Sequence, residues 1–190
     1  QQLAPEAPRG DVHLVRGAWL AARALPLIPD AAYRDQIRRA FRAFRERLDT
    51  VAKETPYGIP YKPDIWGAGW MIQRFGVEQY FLHRAAPDLF PRDQMLNALN
   101  FILGCHPGSN NVSFVSGVGA KSVTVAYGVN RADWSSIPGG IISGTALIRP
   151  DFPELLEWPY LWQQTEYCLG RPTSDYVLLV LAADNLLNQP

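Results

Sequence analysis

"DAAYRDQIRRAFRAFRERLDTVAKE" (30–54) is the stretch that decides the fold class. Its apolar residues recur every three or four positions: Tyr33, Ile37, Phe41, Phe44, Leu48 and Val51. One apolar stripe on an otherwise charged segment is typical of a helix that covers a core with one face. The arginines of the stretch are interpreted as a solvated face, and Asp30 is predicted to cap the N-terminus of the helix.

Helical spacing continues on both sides of this stretch. We predict further helices over 11–28, 69–86, 91–106, 153–169 and 174–188. Pro91 suits a first helical turn, and Thr173 or Ser174 is expected to cap the last helix. The apolar run "YVLLVLAA" (176–183) is far too short to span a bilayer and is interpreted as buried. Helices joined by loops predict an all-α fold of helical hairpins.

The segment 107–150 breaks the helical pattern. It is rich in Gly, Ser, Asn and Val and has no helical period. A loop of this length inside a compact domain is usually functional. We predict a long irregular loop with room for one short β-hairpin.

Charge and composition exclude several classes of function. Lys+Arg and Asp+Glu number 18 each, so the formal net charge is zero and no nucleic-acid partner is expected. The three histidines and the two cysteines stand apart, without metal-ligand spacing, so neither a metal nor a cofactor is expected. No membrane partner is expected either. The polar start "QQLAPEAPRG" (1–10) is not a signal peptide, and a periplasmic or secreted location stays open for the full protein.

Glu166 stands among aromatic residues in "WPYLWQQTEYCLG" (158–170), and no Lys or Arg occurs in this stretch. Apolar aromatic surroundings penalise the charged form of a carboxyl group and so raise its pKa. A carboxyl group of this kind suits a general acid. The residues alone leave open that Glu166 caps a helix or pairs locally, because most glutamates are structural.

Three motifs stand in order in the second half of the chain: "FILGCHPGSNNVSFVSGVGAKSVTVAYGVNR" (101–131), "IPGGIISG" (137–144) and "WQQTEYCLG" (162–170). They resemble, in the same order, three segments of glycoside hydrolase family 9. These are its L-G-x-N-P-x-x-x-S-Y-V-x-G-x-G segment, its Gly-Gly turn and its Y-x-x-N-E motif. The resemblance covers residues 101–187.

Some positions keep the family's residue types and others depart from them. Glu166 falls at the Glu of the third motif, where Trp162 stands for the family's Tyr and Thr165 for its Asn. His106 stands where the family has Asn. Tyr127 falls where the family has a substrate-contacting His, which points to a divergent branch that takes short chains or amino sugars from an end.

The resemblance implies part of an (α/α)6 barrel that hydrolyses β-linked glycosides with inversion. Glu166 would be the acid that protonates the leaving oxygen, while a second carboxylate activates water. The family's base lies in a D-x-x-D-type motif near the start of the barrel, and no such motif stands in this chain. The predicted helices also make only about half of such a barrel. Residues 1–190 are therefore expected to be the C-terminal part of one catalytic domain, with an N-terminal remainder outside this chain as partner.

Five residues are expected to contact the carbohydrate: Arg131, Tyr127, Trp134, Trp66 and Trp162. An indole face on a loop can stack on a pyranose ring, and a guanidinium group donates to sugar hydroxyls. For the tryptophans the alternative is core packing. For Arg131 the alternative is a salt bridge with Asp133.

Two other classes of function fit the same residues. Helical-barrel polysaccharide lyases use Tyr as base, with Arg and Asn neutralising a uronate, and Tyr127, Asn130 and Arg131 supply those types. A non-catalytic helical interaction domain is the other alternative. A lyase product absorbs ultraviolet light because it carries a new C=C bond, a hydrolase product does not, and an interaction domain makes neither product.

Overall fold

The computed structural model describes residues 17–53, 59, 68–105, 113–119, 121–122, 126–128, 133–143, 167–168 and 170–188. Within these ranges the chain forms five α-helices: α1 (Ala18–Ala24), α2 (Ala31–Ala52), α3 (Ala68–Ala85), α4 (Asp93–Ile102) and α5 (Arg171–Asn188). A short 3₁₀ helix, Leu25–Leu27, follows α1. The described part of the chain is mostly helical, which confirms the prediction of an all-α fold.

The helix α2 begins where the sequence predicts. Asp30 Oδ1 accepts a hydrogen bond from the Tyr33 main-chain N–H at 3.2 Å, so the predicted N-cap is confirmed. The buried stripe of α2 consists of Ile37, Phe41, Phe44 and Leu48. Tyr33 is exposed, because the stripe reaches the core only from the second turn onward.

The arginines of α2 are exposed or partly exposed, as predicted for a solvated face, although one guanidinium nitrogen of Arg45 is buried. Arg38 forms an ion pair with Asp88 at 2.6 Å, and Arg45 forms one with Asp49 at 2.7 Å. The Arg38 guanidinium beside Asp88 holds the pKa of that carboxyl below its usual value. Ion pairs this exposed contribute little to stability, so the face serves mainly for solvation.

The Asp30 cap gives a test of this local structure. Asp30→Ala is expected to lower the free energy of unfolding by about 0.5–2 kcal/mol, because the Tyr33 N–H loses its acceptor. Asp30→Asn keeps an acceptor oxygen and is expected to stay close to the wild type. Urea denaturation measures both. Equal losses in the two variants would show that the cap is not the cause.

The start of α4 differs from the prediction. Arg92 is its N-cap residue and Asp93 its first helical residue, so Pro91 lies outside the first turn. The acidic Asp93 in that turn lies near the positive end of the helix dipole, which stabilises this start.

The described part of the predicted helix 11–28 is also shorter than expected, since the α-helix gives way to the 3₁₀ turn that contains Pro26.

The end of α4 is a Schellman motif at a glycine. Gly104 has a φ of 110°, which favours glycine. The Gly104 N–H donates to the Phe101 carbonyl at 3.2 Å, and the Cys105 N–H donates to the Asn100 carbonyl at 2.9 Å. The helix therefore stops at Ile102, earlier than the predicted end.

The helix α5 begins earlier than predicted. The N–H groups of Thr173 and Ser174 both donate to the Gly170 carbonyl, at 3.2 and 3.4 Å. Gly170 therefore takes the N-cap position, and the prediction that Thr173 or Ser174 caps this helix is wrong. Thr173 Oγ1 instead donates to the Cys168 carbonyl at 3.2 Å. Pro172 explains the early start, because its fixed φ suits a first helical turn.

One face of α5 is apolar and open to solvent. Leu179, Ala182 and Ala183 are buried, but several large apolar side chains are exposed: Val177, Leu178, Val180, Leu181 and Leu187. The interpretation of "YVLLVLAA" as a buried helix is therefore wrong for its outer residues. We call these five exposed residues the apolar face of α5. None of the described helices combines the length and apolar character needed to cross a membrane.

The helix α3 lies at the centre and packs against α1, α4 and α5. Ile72, Phe75 and Leu82 join the larger hydrophobic cluster, and Val77 joins a smaller one with Leu179 of α5. A Cβ at Gly76 would lie only 2.8 Å from Leu179 Cδ1. Glycine at this position therefore lets α3 and α5 approach closely.

The loop predicted over 107–150 contains a hairpin, as expected. Its strands are β1 (Ala126–Gly128) and β2 (Asp133–Ser135), which pair antiparallel.

Residues 153–166 of the helix predicted over 153–169 lie outside the described residues. Tyr167 pairs with Ile142 in an isolated β-bridge, so the prediction that residue 167 is helical is wrong.

Candidate functional site

Three segments that are distant in the sequence meet through main-chain hydrogen bonds. They are residues 113–119, 137–142 and 167–168, and we call the assembly the three-segment ladder. Val115 pairs with Ile141, and Ile142 pairs with Tyr167, both antiparallel. The middle segment therefore lies between the other two.

Hydrogen bonds along the ladder are short and regular. The Ile142 N–H donates to the Phe114 carbonyl at 2.9 Å, and the Cys168 N–H donates to the Ile141 carbonyl at 2.8 Å. The Phe114 N–H donates to the Ile102 carbonyl at 2.8 Å, which joins the ladder to the end of α4. These main-chain groups are thus satisfied although their residues are buried.

Glycines make the sharp turns of the ladder possible. Gly117 and Gly119 have φ values of 75° and 89°, a region that other residues rarely adopt. A Cβ at Gly119 would also lie 2.9 Å from Ser113 Cβ. The buried Ser113 hydroxyl oxygen accepts the Val115 N–H at 3.1 Å. The positive φ values of Gly117 and Gly119 therefore explain why this segment has glycine at both ends of its G-x-G spacing.

The Tyr167 side chain joins its own segment of the ladder to both of the other segments. It is 4% exposed, its Oη lies 2.7 Å from Ser116 Oγ, and it accepts the Ile137 N–H at 2.9 Å. Its ring lies against Gly140, where a Cβ would be 2.8 Å from Cε1. Tyr167 is thus held by a hydroxyl pair, a main-chain donor and a ring contact.

The structure brings together two of the predicted carbohydrate-binding residues. Tyr127 and Trp134 are direct partners in the β1–β2 register, and Asp133 pairs with Gly128. The other predicted site residues lie outside the described residues: Glu166, Arg131, Trp66 and Trp162. Their roles stay predictions.

Sequence reasoning did not find the anchoring role of Tyr167 or a charged cluster around Arg74. Arg74 Nε lies 2.7 Å from Glu78 Oε1, and its Nη1 lies 3.4 Å from Asp175 Oδ1. Its guanidinium carbon lies 4.8 Å from the Trp19 ring centroid. The i,i+4 spacing of Arg74 and Glu78 is a sequence signal for the first pair. The cluster joins α1, α3 and α5 and has a structural role.

A shallow groove of about 560 Å³ lies beside the start of α5. Its lining includes Cys168, Thr173 and three members of the apolar face, Val177, Leu178 and Leu181. The groove offers apolar contact rather than acid or base groups. Among the described residues no group of three or more His, Cys, Asp or Glu side chains is placed to hold a metal ion.

The two cysteines and His83, the described histidine, lie in different surroundings. Cys105 is exposed, Cys168 is buried, and neither of these two described residues forms a disulfide. His83 Nδ1 lies 2.7 Å from the Phe90 carbonyl oxygen, so this ring joins α3 to the turn before α4.

A scan against models of known protein families and a search among curated proteins both find no match for this chain.

Proposed function

We propose that this chain is the C-terminal part of an inverting β-glycoside hydrolase that resembles glycoside hydrolase family 9, with Glu166 as the general acid. One observation carries the proposal. The three motifs of the resemblance are separate in the sequence, yet segments of all three meet in the three-segment ladder. Such convergence is expected when the motifs build one site.

The proposed chemistry rests on the sequence position of Glu166, one residue before the third segment of the ladder. Tyr167 is buried in the ladder, and Glu166 is the residue before it. An acid at this position would protonate the leaving oxygen of a glycosidic bond. The substrate class is an oligo- or polysaccharide, either a glucan or an amino-sugar glycoside. Arg131 would donate to its hydroxyls, and the aromatic residues Tyr127, Trp134, Trp66 and Trp162 would stack on its rings.

The second carboxylate is proposed to come from an N-terminal remainder of the same protein. An inverting site needs a base about 6.5–9.5 Å from the acid, and the chain has no D-x-x-D motif. The apolar face of α5 supports the assignment of the base to a second part of the protein, because exposed apolar surface of this kind normally contacts a partner. We infer that the remainder completes the (α/α)6 barrel and covers this face.

The proposal is tested by incubating the complete protein with β-linked oligosaccharides. We expect hydrolysis in which the first product has the inverted anomeric configuration, measured by NMR, and no gain in ultraviolet absorbance. Residues 1–190 alone serve as the control and are expected to be inactive, since they lack the base. A product that absorbs ultraviolet light would favour the lyase alternative with Tyr127 and Arg131. No product from any substrate would favour a non-catalytic interaction domain.

The hairpin region gives a prediction for substrate binding. Arg131→Ala and Trp134→Ala are each expected to weaken binding of a β-linked oligosaccharide by about tenfold, the order expected for a lost charged hydrogen bond or a lost stacking contact. Melting temperatures are expected to stay nearly unchanged. Isothermal titration calorimetry and thermal melts measure the two effects.

The control for these variants is Arg39→Ala on the solvent side of α2, where neither quantity is expected to change. A large fall in melting temperature with unchanged affinity would instead make Arg131 and Trp134 structural residues.

A further inference from the structure

Three glutamine side chains inside the helical bundle have amide atoms without hydrogen-bond partners. Gln73 and Gln79 of α3 are 0% and 1% exposed, and neither their Oε1 nor their Nε2 has a partner within the described part of the chain. Gln94 of α4 is 7% exposed, and its Oε1 has no partner among the described residues either. Burying a polar group without a partner destabilises a fold, so these amides need an explanation.

Gln79 and Gln94 lie on facing helices, near the same end of the contact between them. A Cβ at Gly76 would lie 3.0 Å from Ala98 Cβ, so these two small residues mark a close approach of α3 and α4. Gln79 follows Gly76 by three positions and Gln94 precedes Ala98 by four, spacings that keep a residue on the same side of a helix. Both glutamines are therefore displaced from this contact by about one turn, toward the short connection between the two helices.

Gln73 is not part of this pair. It precedes Gly76 by three positions, so it lies at the other end of the close approach of α3 and α4. The inference below concerns Gln79 and Gln94 alone.

We propose that Gln79 and Gln94 bind ordered water inside the interface of α3 and α4. Their amides lie on facing helices and still have no hydrogen bond to each other. A gap beyond direct hydrogen-bond reach between two polar groups is one that a bridging water spans. One water molecule has two donor hydrogens, so it satisfies both unpaired oxygens, Gln79 Oε1 and Gln94 Oε1. A second water molecule accepts a hydrogen bond from Gln79 Nε2.

The chemistry of the site favours water over an ion or a larger guest. Amide groups have strong dipoles and no net charge, and together they offer both donors and acceptors. Within the described ranges no group of three or more His, Cys, Asp or Glu side chains is placed to hold a metal ion. Nearby residues of the two helices, Phe75, Met95 and Ala98, are fully buried, which leaves room only for a small guest.

Methionine substitutions distinguish a hydrated interface from a dry one, because methionine has nearly the shape of glutamine but no amide. Gln79→Met and Gln94→Met each remove one side of the water site and leave a polar group of the other side unpaired. Each is expected to lower the melting temperature of the complete protein by about 2–4 °C. The double variant is expected to melt close to the wild type, since replacing both polar partners by apolar groups of the same shape is nearly neutral.

Water is also detected directly, in the wild-type complete protein. The side-chain NH₂ signal of Gln79 is assigned by its loss in Gln79→Met, and it is expected to show a nuclear Overhauser effect with long-lived water. A high-resolution crystal structure is expected to place a water oxygen about 2.7–3.2 Å from both Gln79 Oε1 and Gln94 Oε1.

Gln36→Met on α2 is the matched control. Gln36 is exposed, so its substitution is expected to leave the melting temperature unchanged. Higher melting temperatures for both single variants of the pair would show a dry interface, since each change would then remove an unpaired group. That result, or a direct hydrogen bond between the Gln79 and Gln94 amides in the crystal, would overturn the proposal. The test needs no substrate, so its outcome is independent of the proposed function.

Discussion

Glu166→Gln in the complete protein is expected to lower turnover of an alkyl β-glycoside by about 10²- to 10⁴-fold, the usual contribution of a general acid. Glutamine keeps the size of the side chain but has no proton to deliver to the leaving oxygen. Nitrophenyl glycosides are expected to lose much less activity, because their leaving group needs little protonation. Steady-state kinetics with both substrates measure the difference.

The pH dependence of this variant gives a second measurement. In the wild type, kcat/KM for the alkyl glycoside is expected to fall as pH rises through the pKa of the acid. Glu166→Gln is expected to remove that alkaline limb, since the group no longer titrates. Equal losses of activity on both substrates would show that Glu166 is not the acid.

Phe90→Ala is expected to lower the free energy of unfolding by about 3–5 kcal/mol. Phe90 lies in the turn that connects α3 to α4 and is fully buried against α2, where its ring centroid lies 5.8 Å from that of Phe41 and 6.1 Å from that of Phe44. Removing the ring leaves a cavity that rigid neighbours cannot fill. A loss of this size is a large part of the total stability of a typical domain.

Leu27→Ala is the matched control for this variant. Leu27 is 82% exposed, so its truncation is expected to change the free energy of unfolding by less than about 0.5 kcal/mol. Guanidinium denaturation measures both variants. Similar losses in the two would contradict the placement of Phe90 in the core.

Features that depend on local periodicity were predictable from the sequence. The stripe and the N-cap of α2 follow from residues three or four positions apart, and the structure has both. The start of α5 was not predicted, because Gly170 competes with Thr173 and Ser174 for the cap and main-chain geometry decides between them. The outer face of α5 was not predicted either. An uninterrupted apolar run has no polar positions to mark the side that faces solvent.

The candidate site was predictable only as a set of motifs. The order of the motifs indicates which segments belong to the site. The contacts that join these segments are between residues far apart in the sequence. Ser116 and Tyr167 are 51 positions apart, and nothing in either local sequence indicates their hydrogen bond. In the sequence Tyr167 is one of several aromatic residues near Glu166, and its bonds to the other two segments appear only in the structure.

The packing of α5 on α3 also has a consequence for the newly made chain. Arg74 and Asp175, which pair across these helices, are 101 positions apart. A ribosome that adds about 5–20 residues per second needs about 5–20 s to cover that separation. Throughout this interval the side of α3 that receives Leu179 has no covering helix. The pace of translation, rather than the much faster formation of each helix, therefore sets the moment at which this part of the core closes.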